Sequence, residues 1–254
     1  MKRNDPRRMR KQRHQILEVA ARFIAKNGYH GMSMRALAKA TGKSLATAYN
    51  YFSSKEEILY ALQKEAFESL IKAAGGALES VRDSNARLYV FILNHVSYFA
   101  SHAAVMRVLI YEAGSLPPAK RTTIRRLKKR YFEIGRIVIE EVLREGCGKP
   151  GVSGRAAGET IDEAEIERIT YSLFGMLNWT YTWYDPKRHG DVAKLAHTMR
   201  HLILCGAVAG CPKVAAPTDR DGIHVTLGAV PLLGGGDGSL DDRPGRGSGN
   251  AGAS

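Results

Sequence analysis

Apolar positions fall at helical spacing in one segment after another, from Ile16, Leu17, Ala20, Phe23 and Ile24 to Val192, Leu195, Met199, Leu202 and Ile203. Recurrence every three to four residues places such side chains on one face of a helix, so the pattern predicts an all-α chain. Asn27 and Gly28 end the first helix. Ser33 can cap a second carrying Met34, Leu37 and Ala38 on one face; Thr41, Gly42 and Lys43 supply a turn, and Ser44 can cap a third. On that third helix Ala48 and Phe52, four apart, point inward and leave Leu45, Ala46, Tyr49 and Asn50 on the opposite face. The order makes a helix-turn-helix whose exposed face suits a major groove.

Beyond it, Ser54 and Glu57 form a capping box, the hydroxyl taking a backbone N–H and Glu57 reaching back, at the start of a long helix to about Leu78. Gly75 and Gly76 weaken its end, and Asp83 and Ser84 open a segment, Leu88 to Ala100, that is apolar nearly all round and belongs in the interior. A shorter helix over 104–113 ends at Gly114, and Pro117 and Pro118 begin another that runs to about Glu145. Residues 146–159, dense in Gly, read as a loop. Thr160 and Glu163 predict a second capping box for a helix with Ile166, Ile169, Leu173, Met176 and Leu177 in a stripe, stopped by Asp185 and Pro186. Asp191 can cap the last helix, which ends at Gly206. These two adjacent amphipathic helices invite a partner. From Cys211 onward the chain has 10 Gly and 4 Pro in 44 residues and no sustained period, which reads as a disordered tail, the apolar patch Val225 to Leu233 included.

Charge sharpens this picture. The net charge is +13, and residues 1–60 hold 13 Lys/Arg against 4 Asp/Glu, an excess suited to a polyanion. Cys147, Cys205 and Cys211 are odd in number and lack metal-ligand spacing, which argues against a disulfide framework or zinc site and fits a reducing cytoplasm. No apolar run approaches the roughly 18 residues of a membrane span, and the charged N-terminus has no apolar export segment. The eight histidines are scattered, His197 and His201 lack an accompanying glutamate or cysteine, and no nucleophile–base pair or phosphate-cradling loop is present, so an enzyme is not expected. A non-specific architectural DNA-binding protein would also be basic.

The run Gly42, Lys43, Ser44, Leu45, Ala46, Thr47, Ala48, Tyr49, Asn50, Tyr51, Phe52, Ser53, Ser54, Lys55, Glu56, Glu57, Ile58 resembles the DNA-binding domain of TetR/AcrR-family regulators. Lys43, Ala46 and Ala48 depart from the family's usual apolar residue, Gly and larger aliphatic. The resemblance implies a basic arm at 1–9, disordered, a three-helix helix-turn-helix domain at 10–54, a C-terminal helical ligand-binding and dimerisation domain at 55–210, and the tail at 211–254. It implies a homodimer on double-stranded operator DNA, released by a small hydrophobic effector, with no resident cofactor and no metal. Ser33, Ser44, Thr47, Tyr51 and Lys55 are expected at phosphates, joined by Arg7, Arg8, Arg10, Lys11 and Arg13 from the arm. Leu45, Ala46, Tyr49 and Asn50 are expected at base edges, flanked by Arg35 and Lys43; a phosphate-bound hydroxyl is an equal reading of Tyr49, as the resemblance also implies, and packing against the first helix is the other reading of Tyr49 and Tyr51.

In the body, the string from Gly175 through Asn178, Trp179, Tyr181, Trp183, Tyr184 and Pro186 resembles members that regulate lipid or sterol catabolism and respond to acyl-CoA thioesters. Trp179 and Trp183, four apart, would line a ligand tunnel or a dimer seam, or anchor helix packing. Phe91, Asn94 and His95 lie on the apolar helix, with Asn94 and His95 as polar points in a greasy cavity or as satisfied core groups. Seven cations between Lys120 and Arg130, with no acid among them, would receive CoA phosphates or form a solvated face. An aromatic or drug-like effector is the alternative.

Overall fold

The structure, a computed structural model, describes residues 5–146 and 162–205. The first four residues of the arm, the Gly-rich segment, Thr160, Gly206, Cys147, Cys211, His224 and the tail lie outside the described residues. Among the described residues the backbone forms ten helices and no strand: α1 Pro6–Asn27, α2 Met34–Ala40, α3 Leu45–Tyr51, α4 Lys55–Glu79, α5 Ser84–Ser101, α6 Ala103–Tyr111, α7 Pro118–Gly146, α8 Glu163–Trp183, α9 Pro186–His189 and α10 Val192–Ile203.

Most of these helices start on a side-chain oxygen. Ser33, Ser44, Ser54, Asp83 and Asp191 each accept the N–H three residues on, satisfying a donor that the helix itself leaves open. Two starts differ from the sequence expectation. Helix α1 begins at Pro6 rather than near residue 10, because Asp5 accepts the Arg7 N–H and Pro6 brings a preset φ and no N–H to satisfy. Helix α8 is capped by Asp162, which accepts the Ala164 N–H, and Glu163 faces Arg136 on α7. Nor does Glu57 reach back at the start of α4; its carboxylate takes Lys120.

Helices α1–α3 form the head, with Ile16, Leu17, Ala20, Ile24, Leu37 and Ala48 buried between them. Helix α4 leaves the head and packs on α5 and α7, while α6 bridges α1 and α4. Helix α5 is the axis of the body, touching α4, α7, α8 and α10. It buries Leu88, Phe91, Ile92, His95, Val96 and Phe99 on one stripe and half-buries much of the rest, so its apolar circumference reflects neighbours on several sides. Gly135 lets α7 approach this centre: a Cβ there would sit 2.9 Å from Phe174 Cε2 and 3.0 Å from Phe91 Cζ. No single helix among the described residues is long and apolar enough to cross a membrane; α5 and α6 together are, but the pair is bent by 100°.

Candidate nucleic-acid interface

The turn between α2 and α3 is built by backbone geometry. Gly42 takes φ +63°, a left-handed conformation that costs a side-chain-bearing residue about 1–2 kcal/mol. Its N–H donates to the Lys39 carbonyl at 3.2 Å and the Lys43 N–H to the Ala38 carbonyl at 2.9 Å, the paired bonds of a Schellman closure. An apolar residue commonly follows the glycine in that motif; here the half-buried Lys43 follows it, bringing a cation to the foot of α3.

From that turn α3 presents Ser44, Ala46, Tyr49 and Asn50 to solvent, with Tyr49 half exposed at 50%. Ser33 and Arg35 lie exposed at the start of α2, and Thr47 is half-buried with its hydroxyl 2.8 Å from that of Ser44. The Ser33 and Ser44 oxygens accept N–H groups of Ala36 and Thr47 at 3.1 Å. A hydroxyl that accepts in this way keeps its own proton to donate outward. The face therefore offers hydroxyls, an amide, a phenol and two cations around one small side chain, Ala46.

Two expected members turn inward. Leu45 is half-buried against the core, and Tyr51 donates its hydroxyl to Gln12 on α1 with Met9 Sδ at 3.5 Å. The reason is angular: each lies three residues from the buried Ala48, which puts it on the same side of the helix. Both side chains are thus engaged in packing while remaining partly exposed. Arg13 is likewise engaged, paired with Glu65 and stacked over Phe52 at 5.0 Å.

Lys55 is positioned by residues that no sequence motif singles out. Its ammonium sits 4.6 Å from the ring centre of buried Tyr29, whose hydroxyl donates to Glu56 at 2.9 Å. Burial and the facing Glu56 carboxylate raise the Tyr29 phenol above its ordinary range. Glu56 is held below the usual carboxylate range, chiefly by its own N–H at the open end of α4 and by the Ser54 hydroxyl. The backbone N–H of Tyr29 then donates to Glu112 Oε1 at 2.9 Å, and the Glu112 carbonyl accepts from fully buried Gln63 at 3.0 Å. Head, α4 and the end of α6 therefore meet at one residue. Nothing local in the sequence marks this joint, because its partners are 83 and 49 residues apart.

The expected ligand residues divide into two groups. Phe91 and His95 are sealed in the body with Tyr131, Phe99 and Phe174. His95 Nδ1 lies 3.1 Å from the Tyr131 hydroxyl, while its Nε2 is buried without a hydrogen-bond partner. Burial pushes the imidazole down to about 3, so it is neutral. The half-buried Asn94 has an orphaned Nδ2 and the Tyr131 hydroxyl as an electrostatic neighbour. Asn178 is half-buried. Trp179 and Trp183 stand 59% and 44% exposed. Helix α8 buries Leu173, Leu177 and Thr180, and residues 179 and 183 fall on the opposite side of the turn.

A cavity of about 360 Å³ does open between α5, α8 and α10, walled by Val96, Phe99, Thr180, Tyr184, Val192 and Leu195, among others. Tyr181, Tyr184 and Pro186 of the string that resembles acyl-CoA-responsive members line it, whereas Phe91, Asn94, His95, Asn178, Trp179 and Trp183 are not among its lining residues. Phe99, which lines this cavity, has its ring centre 4.6 Å from that of His95.

Comparison with known proteins agrees with this geometry. The family model described as "Bacterial regulatory proteins, tetR family" matches residues 16–62, and "Tetracyclin repressor-like, C-terminal domain" matches residues 81–207. The fatty acid metabolism regulator protein of Bacillus subtilis is 27% identical over 193 residues, 76% of this chain and 93% of that protein. The TetR family regulator PfmR from Thermus thermophilus superposes with a TM-score of 0.63 at 29% identity, over 75% of this chain and 97% of its own. AibR, solved with isovaleryl coenzyme A and operator DNA, shares the fold at TM-score 0.59 and 21% identity, over 78% of this chain and 98% of its own. With both halves matched, this chain belongs to the TetR family of helix-turn-helix, DNA-binding transcriptional regulators and is not an enzyme.

Proposed function

We propose that the chain is a homodimeric, sequence-specific repressor that leaves its operator when a fatty acyl thioester enters the body. The observation that carries this reading is the orphaned Nε2 of His95, sealed one ring behind the α5–α8–α10 cavity. If the Tyr131 hydroxyl donates to Nδ1, the proton sits on Nε2 and awaits a carbonyl oxygen. An acyl chain displacing Phe99 would bring its thioester carbonyl there, and the surrounding aromatic side chains would hold the chain. The likeness to the Bacillus subtilis fatty acid metabolism regulator, over 93% of that protein, supports an acyl effector over an aromatic drug.

Dimerisation is supported by apolar side chains that a lone protomer leaves in water. Tyr171, Trp179 and Trp183 line the outer side of α8, and Leu202 stands exposed on α10. On the DNA side, Ala46 and Asn50 choose the site and Tyr49, Ser33, Ser44 and Lys55 grip its backbone. Only an effector that favours the unbound conformation shifts the equilibrium, and α4, pinned at Lys55 and Gln63, is the lever that carries the shift.

The test begins with duplexes selected from random-sequence DNA by the full chain. Recovery of one palindromic site supports the repressor reading, and uniform binding contradicts it in favour of an architectural protein. The recovered complex is then titrated with palmitoyl-CoA, free CoA, palmitate and an aromatic cation. Release by palmitoyl-CoA alone is expected; release by the aromatic cation alone refutes the acyl assignment.

A further inference from the structure

The cations between Lys120 and Arg130 fall into two kinds. Lys120 pairs with Glu57 and lies over Tyr60 at 5.6 Å, and Arg121 donates to the carbonyls of Gly114 and Leu116. The Lys120 pair ties the start of α7 to the first turn of α4, beside Lys55, and Arg121 braces the loop that precedes α7. Arg125, Arg126, Lys128, Lys129 and Arg130 lie at the surface, and none meets a carboxylate among the described residues. The second half of the same helix is different. There Arg136 meets Glu133, Glu140 and Glu163, Arg144 meets Glu140, and Glu141 takes Arg87.

The unopposed half works against its own helix. Arg125 with Lys129, and Arg126 with Arg130, are like charges at four-residue spacing, where opposite charges would stabilise and like charges repel. A surface serving only solubility would alternate its signs, as the second half does. The cavity at α5–α8–α10 draws no lining from this face. Five exposed cations on such a face match a partner offering several phosphates in a row. Lys120, roughly one to three turns before them on the same helix, ties that helix to the foot of α4, which Lys55 begins.

We propose that the outer face of α7 from Arg125 to Arg130 is a second phosphate-gripping surface, which holds duplex DNA beyond the contacts of the reading heads. The inference rests on the chain's DNA binding, and it assigns to the body a share of affinity independent of sequence. Each phosphate neutralised adds about 0.9 to the slope of log affinity against log salt.

The full chain carrying Arg125→Gln, Arg126→Gln and Lys129→Gln together is compared with wild type on a 60-bp duplex bearing the selected operator and on an unrelated duplex of equal length. The salt slope should become shallower by roughly 2 to 3 on both duplexes, following the per-phosphate value. Phosphate-ethylation interference should disappear at a subset of positions, and a triple variant with Arg125→Lys, Arg126→Lys and Lys129→Arg should restore wild-type behaviour. An unchanged slope overturns the proposal. So does a loss that is equal at all salt concentrations or is not restored by the charge-keeping variant. A defect confined to the palmitoyl-CoA response, with DNA binding intact, also overturns it and assigns the face to CoA phosphates. Failure of the heads themselves is read separately, from Lys55→Ala on the same operator.

Discussion

The head and the body place their polar side chains in opposite ways. In the head the hydroxyls, amide and cations stand at the rim, on Ser33, Arg35, Ser44, Tyr49 and Asn50, and the interior between the helices is apolar. In the body a histidine and a tyrosine are sealed at the centre, and large aromatics stand outside on α8. A rim of satisfied but outward-facing donors can meet a ligand with no rearrangement. A sealed pair with an orphaned nitrogen must have its wall opened before anything reaches it. The first arrangement suits a surface that reads DNA; the second suits a compartment whose filling changes shape.

The contrast can be broken at several points, and the largest effect belongs to the body. Phe91→Ala, at a fully buried position, should cost about 3–5 kcal/mol in denaturant unfolding. Acidification should expose the same asymmetry. The His95 imidazole is held neutral down to about pH 3, while in the unfolded chain it takes a proton below about 6.5. Stability from this group is thus complete above 6.5 and lost as pH falls, by about 1.4 kcal/mol per pH unit in that window. His95→Phe should remove that share of the slope, seen as a smaller fall in unfolding free energy between pH 7 and 5 than in wild type.

Glu112→Ala should cost about 1–3 kcal/mol by stranding the Tyr29 N–H, and it should also weaken the link between effector and DNA release, read as a larger effector dose for half-release. Gly42→Ala should cost about 1–2 kcal/mol through backbone strain alone. The smallest effect on folding belongs to Tyr49→Ala, within about 0.5 kcal/mol in the melt, yet operator affinity should fall roughly tenfold, about 1.4 kcal/mol. Tenfold-weaker binding without a stability change is the signature of a rim residue; a matching loss of stability would make Tyr49 a packing residue like Tyr51.

How far these regions were legible in the sequence follows from the range of their interactions. Ser33, Ser44 and Ser54 were readable because a cap and its N–H are three residues apart, and Gly42 because a left-handed turn demands it. Thr160 misled because Asp162, closer to the helix, supplies the cap. That Leu45 and Tyr51 share the side of Ala48 is readable from their spacing, but only the presence of α1 shows what that side packs on. Tyr29, Gln63 and Glu112 carried no pattern, since the fold alone brings them together. The tryptophans illustrate the limit most plainly: their spacing gave one face of α8 correctly, but which face points inward is decided by α5 and α7.

On the proposed function the head selects the DNA sequence and the buried centre of the body governs the response, while the α7 cations add affinity that is independent of sequence. The most direct test is a titration of the operator complex with palmitoyl-CoA, wild type beside His95→Phe, followed by fluorescence anisotropy. The two proteins should bind the operator with equal affinity, wild type should be released, and His95→Phe should stay bound at doses at least roughly tenfold higher, a difference of about 1.4 kcal/mol. Equal release of both, or a loss of operator affinity in His95→Phe before any effector is added, would contradict that division.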